Sequence, residues 1–137
     1  MSFDRFFHID RLIFIQVLDH RKFRHNYQVT RDFINRLGLV HQLHGHEGCV
    51  NCIQWSENGE LLASGSDDVR VIVWDPFRGK KVQEITTGHE GNIFSVKFMP
   101  DTNNNLIVSG AADYKLQLHD MSMGKTLQSY KKHIYRY

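Results

Sequence analysis

Gly45-His46-Glu47-Gly48-Cys49-Val50-Asn51-Cys52-Ile53-Gln54-Trp55 and Gly88-His89-Glu90-Gly91-Asn92-Ile93-Phe94-Ser95-Val96-Lys97-Phe98 are two copies of one pattern, 43 residues apart. Counting from each His, apolar residues fall at the same offsets: Val50, Ile53 and Trp55 in the first copy, Ile93, Val96 and Phe98 in the second. A repeat of this length is one supersecondary unit that buries its faces only against neighbours. Each copy continues with a second strand-like run, Leu61-Leu62-Ala63-Ser64 and Leu106-Ile107-Val108-Ser109. A third run alternates with period two through Val71 and Val73, and through Leu116 and Leu118. Lys81-Val82-Gln83-Glu84-Ile85 and Thr126-Leu127-Gln128-Ser129-Tyr130 supply a fourth.

Turn chemistry separates the runs. Glu57-Asn58-Gly59 and the longer Asp101-Thr102-Asn103-Asn104-Asn105 occupy the same place, so the added residues fall where a surface loop tolerates them. Asp67-Asp68 and Asp113 mark the next turn. Four short strands per period predict an all-β meander, repeated as a first unit over 45–87 and a second over 88–131. His133 opens a third unit over 132–137, with Lys132 where Gly would stand.

The pairs Gly45-His46 and Gly88-His89, with Ser64-Gly65-Ser66-Asp67-Asp68 and Trp74-Asp75, resemble the WD40 repeat of β-propellers. The resemblance implies a hydrogen-bonded structural tetrad, His46, Ser64, Asp68 and Trp74, in the first blade. In the second it implies His89, Ser109, Asp113 and His119, the last a weakened member because imidazole offers less area than indole and a titratable nitrogen. Two blades and the start of a third cannot close a ring. That predicts part of a longer propeller protein, at least two exposed apolar blade faces and poor solubility.

Composition agrees with a folded domain. The 137 residues are 41% hydrophobic and 23% charged, with a net charge of +2 that is too small to argue for a nucleic-acid or membrane field over the whole molecule. The longest apolar run, Leu12 to Leu18, is far below the ~20 residues of a spanning helix. It also lacks the basic n-region and small-residue cleavage site of a secretory signal. Two Cys in a single CxxC make no disulfide framework and fit an intracellular address.

Three chemistries are tempting, and each has a plainer explanation. His44, His46, Cys49 and Cys52 suggest zinc, yet the second copy places Asn92 and Ser95 at the Cys positions, and a strand sends residues three apart to opposite faces. A redox CxxC needs a helix start, which is missing. Ser64, His46 and Asp68 mimic a catalytic triad, but a trio duplicated in both repeats is better explained as a buried network that fixes the fold. No phosphate loop, metalloprotease motif or paired carboxylates appear, so no enzyme, metal or cofactor is expected.

Residues 1–41 form a distinct amino-terminal arm with seven basic and four acidic side chains. Thr30 suits the N-cap of a short helix through Phe33, Ile34 and Leu37, and Gly38 suits its carboxyl cap. Upstream, Phe6, Ile9, Ile13 and Val17 make a helical stripe, with a strand over 12–18 as the alternative. Arg21, Lys22, Arg24, Arg31 and Arg36 interleave with Phe23, Tyr27 and Phe33. That mixture occurs on RNA-binding surfaces, but a solvated helix face is the simpler account.

Within WD40 proteins, Gly48-Cys49-Val50-Asn51 and Asn92-Ile93-Phe94-Ser95 narrow the resemblance to substrate receptors of cullin-4 RING ubiquitin ligases. It implies a non-enzymatic scaffold of the ubiquitin pathway, working in cytoplasm and nucleus and docking on the propeller-built cullin-4 adaptor. Protein substrates stay unnamed, and histones or other chromatin proteins are among the partners it implies. The arm would lay an apolar helix face into the adaptor, with Phe33 and Ile34 as anchors and Arg31 and Arg36 as rim charges. The family's Trp-Asp-x-Arg signature is not met, because Phe77 stands where Arg would and Arg78 comes one place later. The alternative reading is a generic WD40 scaffold in signalling or chromatin complexes, and a third is an RNA-binding arm on a propeller.

Overall fold

The computed structural model describes residues 31–35 and 38–131. The helical stripe and alternative strand upstream, the Thr30 cap, most of the basic-aromatic segment, Arg36, Leu37 and the third repeat at His133 all lie outside those residues. The chain divides between Gln42 and Leu43 into two units.

In the first unit a single turn of helix, α1, spans Arg31–Asn35. The end of this helix, where Gly38 suits the carboxyl cap, lies outside the described residues. Leu39 and Val40, which follow Gly38 outside any regular element, are exposed. Among the described residues no helix is long and apolar enough to cross a membrane.

The second unit is all β. Strands β1 (Val50–Trp55), β2 (Leu62–Ser66), β3 (Arg70–Asp75) and β4 (Lys80–Thr86) form one antiparallel sheet in sequence order. Strands β5 (Ile93–Phe98), β6 (Leu106–Ala111), β7 (Lys115–Asp120) and β8 (Lys125–Lys131) repeat it. The two sheets are the expected propeller blades, and we call them blade one and blade two. Each inner strand is bulged near its start, between Val50 and Cys52 and between Ile93 and Ser95. The third and fourth strands slip by one residue at matching places, between Val73 and Trp74 and between Leu118 and His119. Such shared irregularities are conserved devices for bending and twisting a strand.

The blades pack through one dry core. Ala63, Val71, Val73 and Ile85 of blade one meet Ile93, Val96, Phe98 and Ile107 of blade two, with Cys52 and Met121 at its margin. Burying side chains of this size stabilises by about 1.5–3 kcal/mol each before conformational entropy is counted. At the register positions of Val71 and Ile85, blade two carries Leu116 and Tyr130, which are 52% and 49% exposed. One apolar blade face is therefore open, as an incomplete propeller requires. The expected second open face is not found, because Trp55, Leu62, Ile72 and Trp74 are buried. Part of the reason is local: a Cβ on Gly45 would stand 2.8 Å from Trp74 Cη2 and 3.3 Å from Ile72 Cδ1, so the chain entering β1 runs across that face.

The tight turns between second and third strands put non-glycine residues in the left-handed region, Val69 at φ 56° and Tyr114 at φ 60°. Aspartates hold these turns: Asp68 Oδ1 accepts the Arg70 N–H at 3.0 Å and Asp113 Oδ1 accepts the Lys115 N–H at 3.1 Å. In the longer loop Asp101, Asn103 and Asn104 are left-handed, a conformation that short polar side chains tolerate.

Candidate functional site

In blade one the loop before β1, the strand β2, the turn after it and the strand β3 each contribute one polar group to a buried chain. His46 Nδ1 faces the Asp68 carboxylate at 2.9 and 3.1 Å, and its Nε2 lies 2.8 Å from Ser64 Oγ. Trp74 Nε1–H donates to the same oxygen at 2.8 Å. A carboxylate only accepts, so His46 Nδ1 carries its hydrogen. Burial alone would raise the Asp68 carboxyl. The Glu47 N–H, the His46 ring and the Arg70 N–H outweigh that and bring it down to about 2. Arg70 adds an outer brace, reaching Asp68 at 2.9 Å and Glu84 at 2.8 Å.

Blade two repeats the geometry with one change. His89 Nδ1 lies 3.0 and 3.1 Å from Asp113, and His89 Nε2 lies 2.8 Å from Ser109 Oγ. His119 Nε2 then stands 2.6 Å from Ser109 Oγ. Its other nitrogen is 3.0 Å from Thr126 Oγ1, a partner that indole cannot address because it has a single N–H. The imidazole therefore makes two hydrogen bonds where the indole makes one. Burial, with His89 close by, lowers the His119 imidazole to about 4. Asp113 is also lowered: burial opposes, and the Glu90 N–H, His89 and the Lys115 N–H prevail.

These trios have the connectivity of a hydrolase triad but not its access. Ser64 and Ser109 are 1% and 0% exposed, and a second ring sits on each hydroxyl. What such networks do is fix the turn, the entering loop and two strands against one another in a low-dielectric interior, with every donor of the network itself paired.

The zinc-like quartet is dispersed by its own bonding. Both His46 nitrogens are occupied, Cys49 is exposed, and the Cys52 sulfur points to Gly65 O at 3.8 Å and Ile93 O at 4.0 Å. Burial pushes the Cys52 thiol up to about 11, which disfavours the thiolate a metal would need. Among the described residues no three His, Cys, Asp or Glu side chains are grouped to hold a metal ion.

On α1, Arg31 is exposed and Ile34 is 53% exposed, while the Phe33 side chain lies outside the description. Phe77, in the slot of the absent signature Arg, stacks tilted on Trp55 with ring centroids 6.0 Å apart. Arg78 folds back on Asp75, its Nη1 at 3.2 Å.

Two residues of the network escape sequence reasoning. Gln117 is buried and its Oε1 accepts the Gly88 N–H at 2.9 Å, where blade one has Ile72. Thr126 reaches His119 only because the slip after Leu118 brings the two residues opposite each other. A polar residue inside an alternating apolar strand was the available signal for Gln117. For Thr126 there was none.

The WD domain, G-beta repeat model matches residues 37–75 and 79–120. WD and tetratricopeptide repeats protein 1 of Mus musculus and that of Homo sapiens are each 50% identical over 114 residues. The match takes in 83% of this chain and 17% of either relative. DDB1- and CUL4-associated factor 6 of Homo sapiens is 44% identical over 95 residues, 69% of this chain and 11% of that protein. The chain thus spans less than a fifth of the length of these curated relatives.

Proposed function

Because the chain belongs to the WD40 repeat family, whose model spans more than half of it, we propose that it is the docking module of a cullin-4 RING ubiquitin ligase receptor. WD40 repeats make protein-interaction scaffolds, and this chain is one. The finer reading rests on one observation: 69% of the chain is similar, at 44% identity, to a protein named for association with DDB1 and CUL4.

In this reading α1 inserts an apolar face into the propeller-built adaptor DDB1, with Phe33 and Ile34 as anchors and Arg31 and Arg36 at the rim. The half-exposed Ile34 supports it, since an anchor must be available before the partner arrives. Phe77, standing where the family's Arg would be, removes the second expected adaptor contact from blade one. That contact, if the longer protein makes it, comes from another blade, and within this chain docking falls on the arm. The receptor works in the cytoplasm and nucleus, where an exposed Cys49 thiol stays reduced.

Size-exclusion chromatography of the full chain with purified DDB1 tests the proposal. Co-elution as one complex is expected, and separate elution of a folded chain contradicts it.

A further inference from the structure

We propose that Asn58 is a covalent modification site that the fold keeps shut: its side-chain amide is lost through attack by the Gly59 nitrogen when the turn between β1 and β2 opens, and the carboxylate formed hinders the turn from closing again.

The sequence supplies the chemistry. Asn58 is exposed, and the residue after it is the one type with no Cβ to crowd its own backbone nitrogen. No other Asn in the chain precedes a glycine. The Gly59 nitrogen attacks Asn58 Cγ, so that a bond forms between them and the bond from Cγ to Nδ2 breaks. The Gly59 amide hydrogen leaves with the side-chain nitrogen as ammonia. Water then adds to either carbonyl of the cyclic imide, giving aspartate or an isoaspartate whose main chain runs through the side-chain carbons. One water is consumed, one ammonia is released, and nothing is oxidised or reduced.

The folded turn ties up both reacting groups. The Gly59 N–H donates to Ser56 O at 3.0 Å, so the nucleophile holds the hydrogen it must shed. Asn58 Nδ2 donates to Glu60 Oε2 at 2.7 Å, and an ionised carboxylate has no proton to offer the departing nitrogen. Imide formation forfeits both bonds. Asn58 Oδ1 is held as well: it accepts from Ser56 Oγ at 2.8 Å, from the Glu60 N–H at 3.3 Å and, across the blades, from Asn104 Nδ2 at 3.3 Å. Ser56 gives these restraints a fixed base. It is buried, its Oγ accepts the Leu61 N–H at 2.9 Å, and its own N–H donates to Leu61 O at 2.9 Å.

The product does not fit the same turn. A carboxylate at Asn58 has no hydrogen for Glu60 Oε2, so two like charges replace a 2.7 Å hydrogen bond. Isoaspartate also adds a backbone carbon to a hairpin whose register is fixed at Trp55 and Leu62. Blade two is the internal control, because its corresponding loop, Asp101 to Asn105, makes its left-handed turns at Asp101, Asn103 and Asn104 with no glycine.

The test is incubation of the full chain at mildly alkaline pH, native and in guanidinium chloride, read by peptide mass spectrometry with an isoaspartyl methyltransferase as the probe of the product. The unfolded chain should convert at Asn58 ahead of every other Asn. The native chain should convert at least about tenfold more slowly, since its rate follows the open fraction of the turn. Gly59→Ala, compared in guanidinium chloride where its folding is immaterial, should suppress the conversion. Ser56→Ala should speed conversion of the native chain and leave the unfolded rate unchanged, and Asn58→Asp should unfold at lower denaturant than the parent. Conversion at Asn58 no faster than at other Asn, equal rates in native and unfolded chains, or a native Ser56→Ala rate equal to the parent's would overturn the proposal. An Asn58→Asp midpoint equal to the parent's overturns the claim that the product hinders closure.

Discussion

Ile93 of blade two occupies the space that a side chain on Gly65 of blade one would need: a Cβ there would stand 2.6 Å from Ile93 Cγ2 and 2.8 Å from Cys52 Sγ. The missing side chain is what lets the inner strand of one blade settle on the second strand of the other. In blade two the equivalent Gly110 meets only its own Leu116 and Ser95. The two glycines thus have the same local role and different loads.

Gly65→Ala should therefore lower stability by about 1–3 kcal/mol through overpacking of the blade contact. Gly110→Ala should cost much less, since Leu116 is exposed and can turn aside. Urea unfolding of the two variants checks this. Equal losses would show that the glycines act through strand propensity alone.

Acid should weaken the blades in a fixed order. The folded His119 imidazole lies at about 4 against an ordinary 6.5, so the unfolded chain binds a proton in that interval and the folded chain does not. The stabilisation from keeping His119 neutral is complete above 6.5 and is lost as pH falls toward 4. Asp68, lowered from 3.8 to about 2, keeps its contribution above 3.8 and loses it as pH falls through about 2. Unfolding free energy should drop by on the order of 2 kcal/mol between pH 7 and 4.5. His119→Trp should flatten most of that slope, while Asp68→Asn should leave it in place.

Val69 offers the opposite test. A β-branched residue at φ 56° costs about 1 kcal/mol or more, and only the turn around it holds it there. Val69→Gly should raise the urea midpoint even though glycine adds entropy to the unfolded chain. A lowered midpoint would mean that the side chain contributes packing that outweighs the strain.

Legibility followed what period and spacing can encode. Both copies of the GH-to-strand pattern, the strand order and the turn aspartates come from side-chain alternation and local turn chemistry, which the one-dimensional pattern carries. The pairing of His119 with Thr126 does not, because a one-residue slip decides whether Thr126 or Leu127 stands opposite. The reading of His119 as a weakened member, from its smaller area and titratable nitrogen, does not include its second hydrogen bond, to Thr126. The covering of blade one's second face was likewise hidden, since blade count says nothing of how the segment around Gly45 crosses that face. The arm was the least legible part. Five of its residues, Arg31–Asn35, are described as helix, and a short helix depends on what it docks against more than on its own signals.

The central claim is that the chain docks on the cullin-4 adaptor through its arm, and its most direct test is a titration of the labelled full chain with purified DDB1, beside Phe33→Asp. The account predicts saturable binding with a dissociation constant of about 1 μM or tighter, near −8 kcal/mol, weakened at least about tenfold by the substitution. A chain with intact β circular dichroism that binds no adaptor, or that binds equally well with Phe33→Asp, would contradict it.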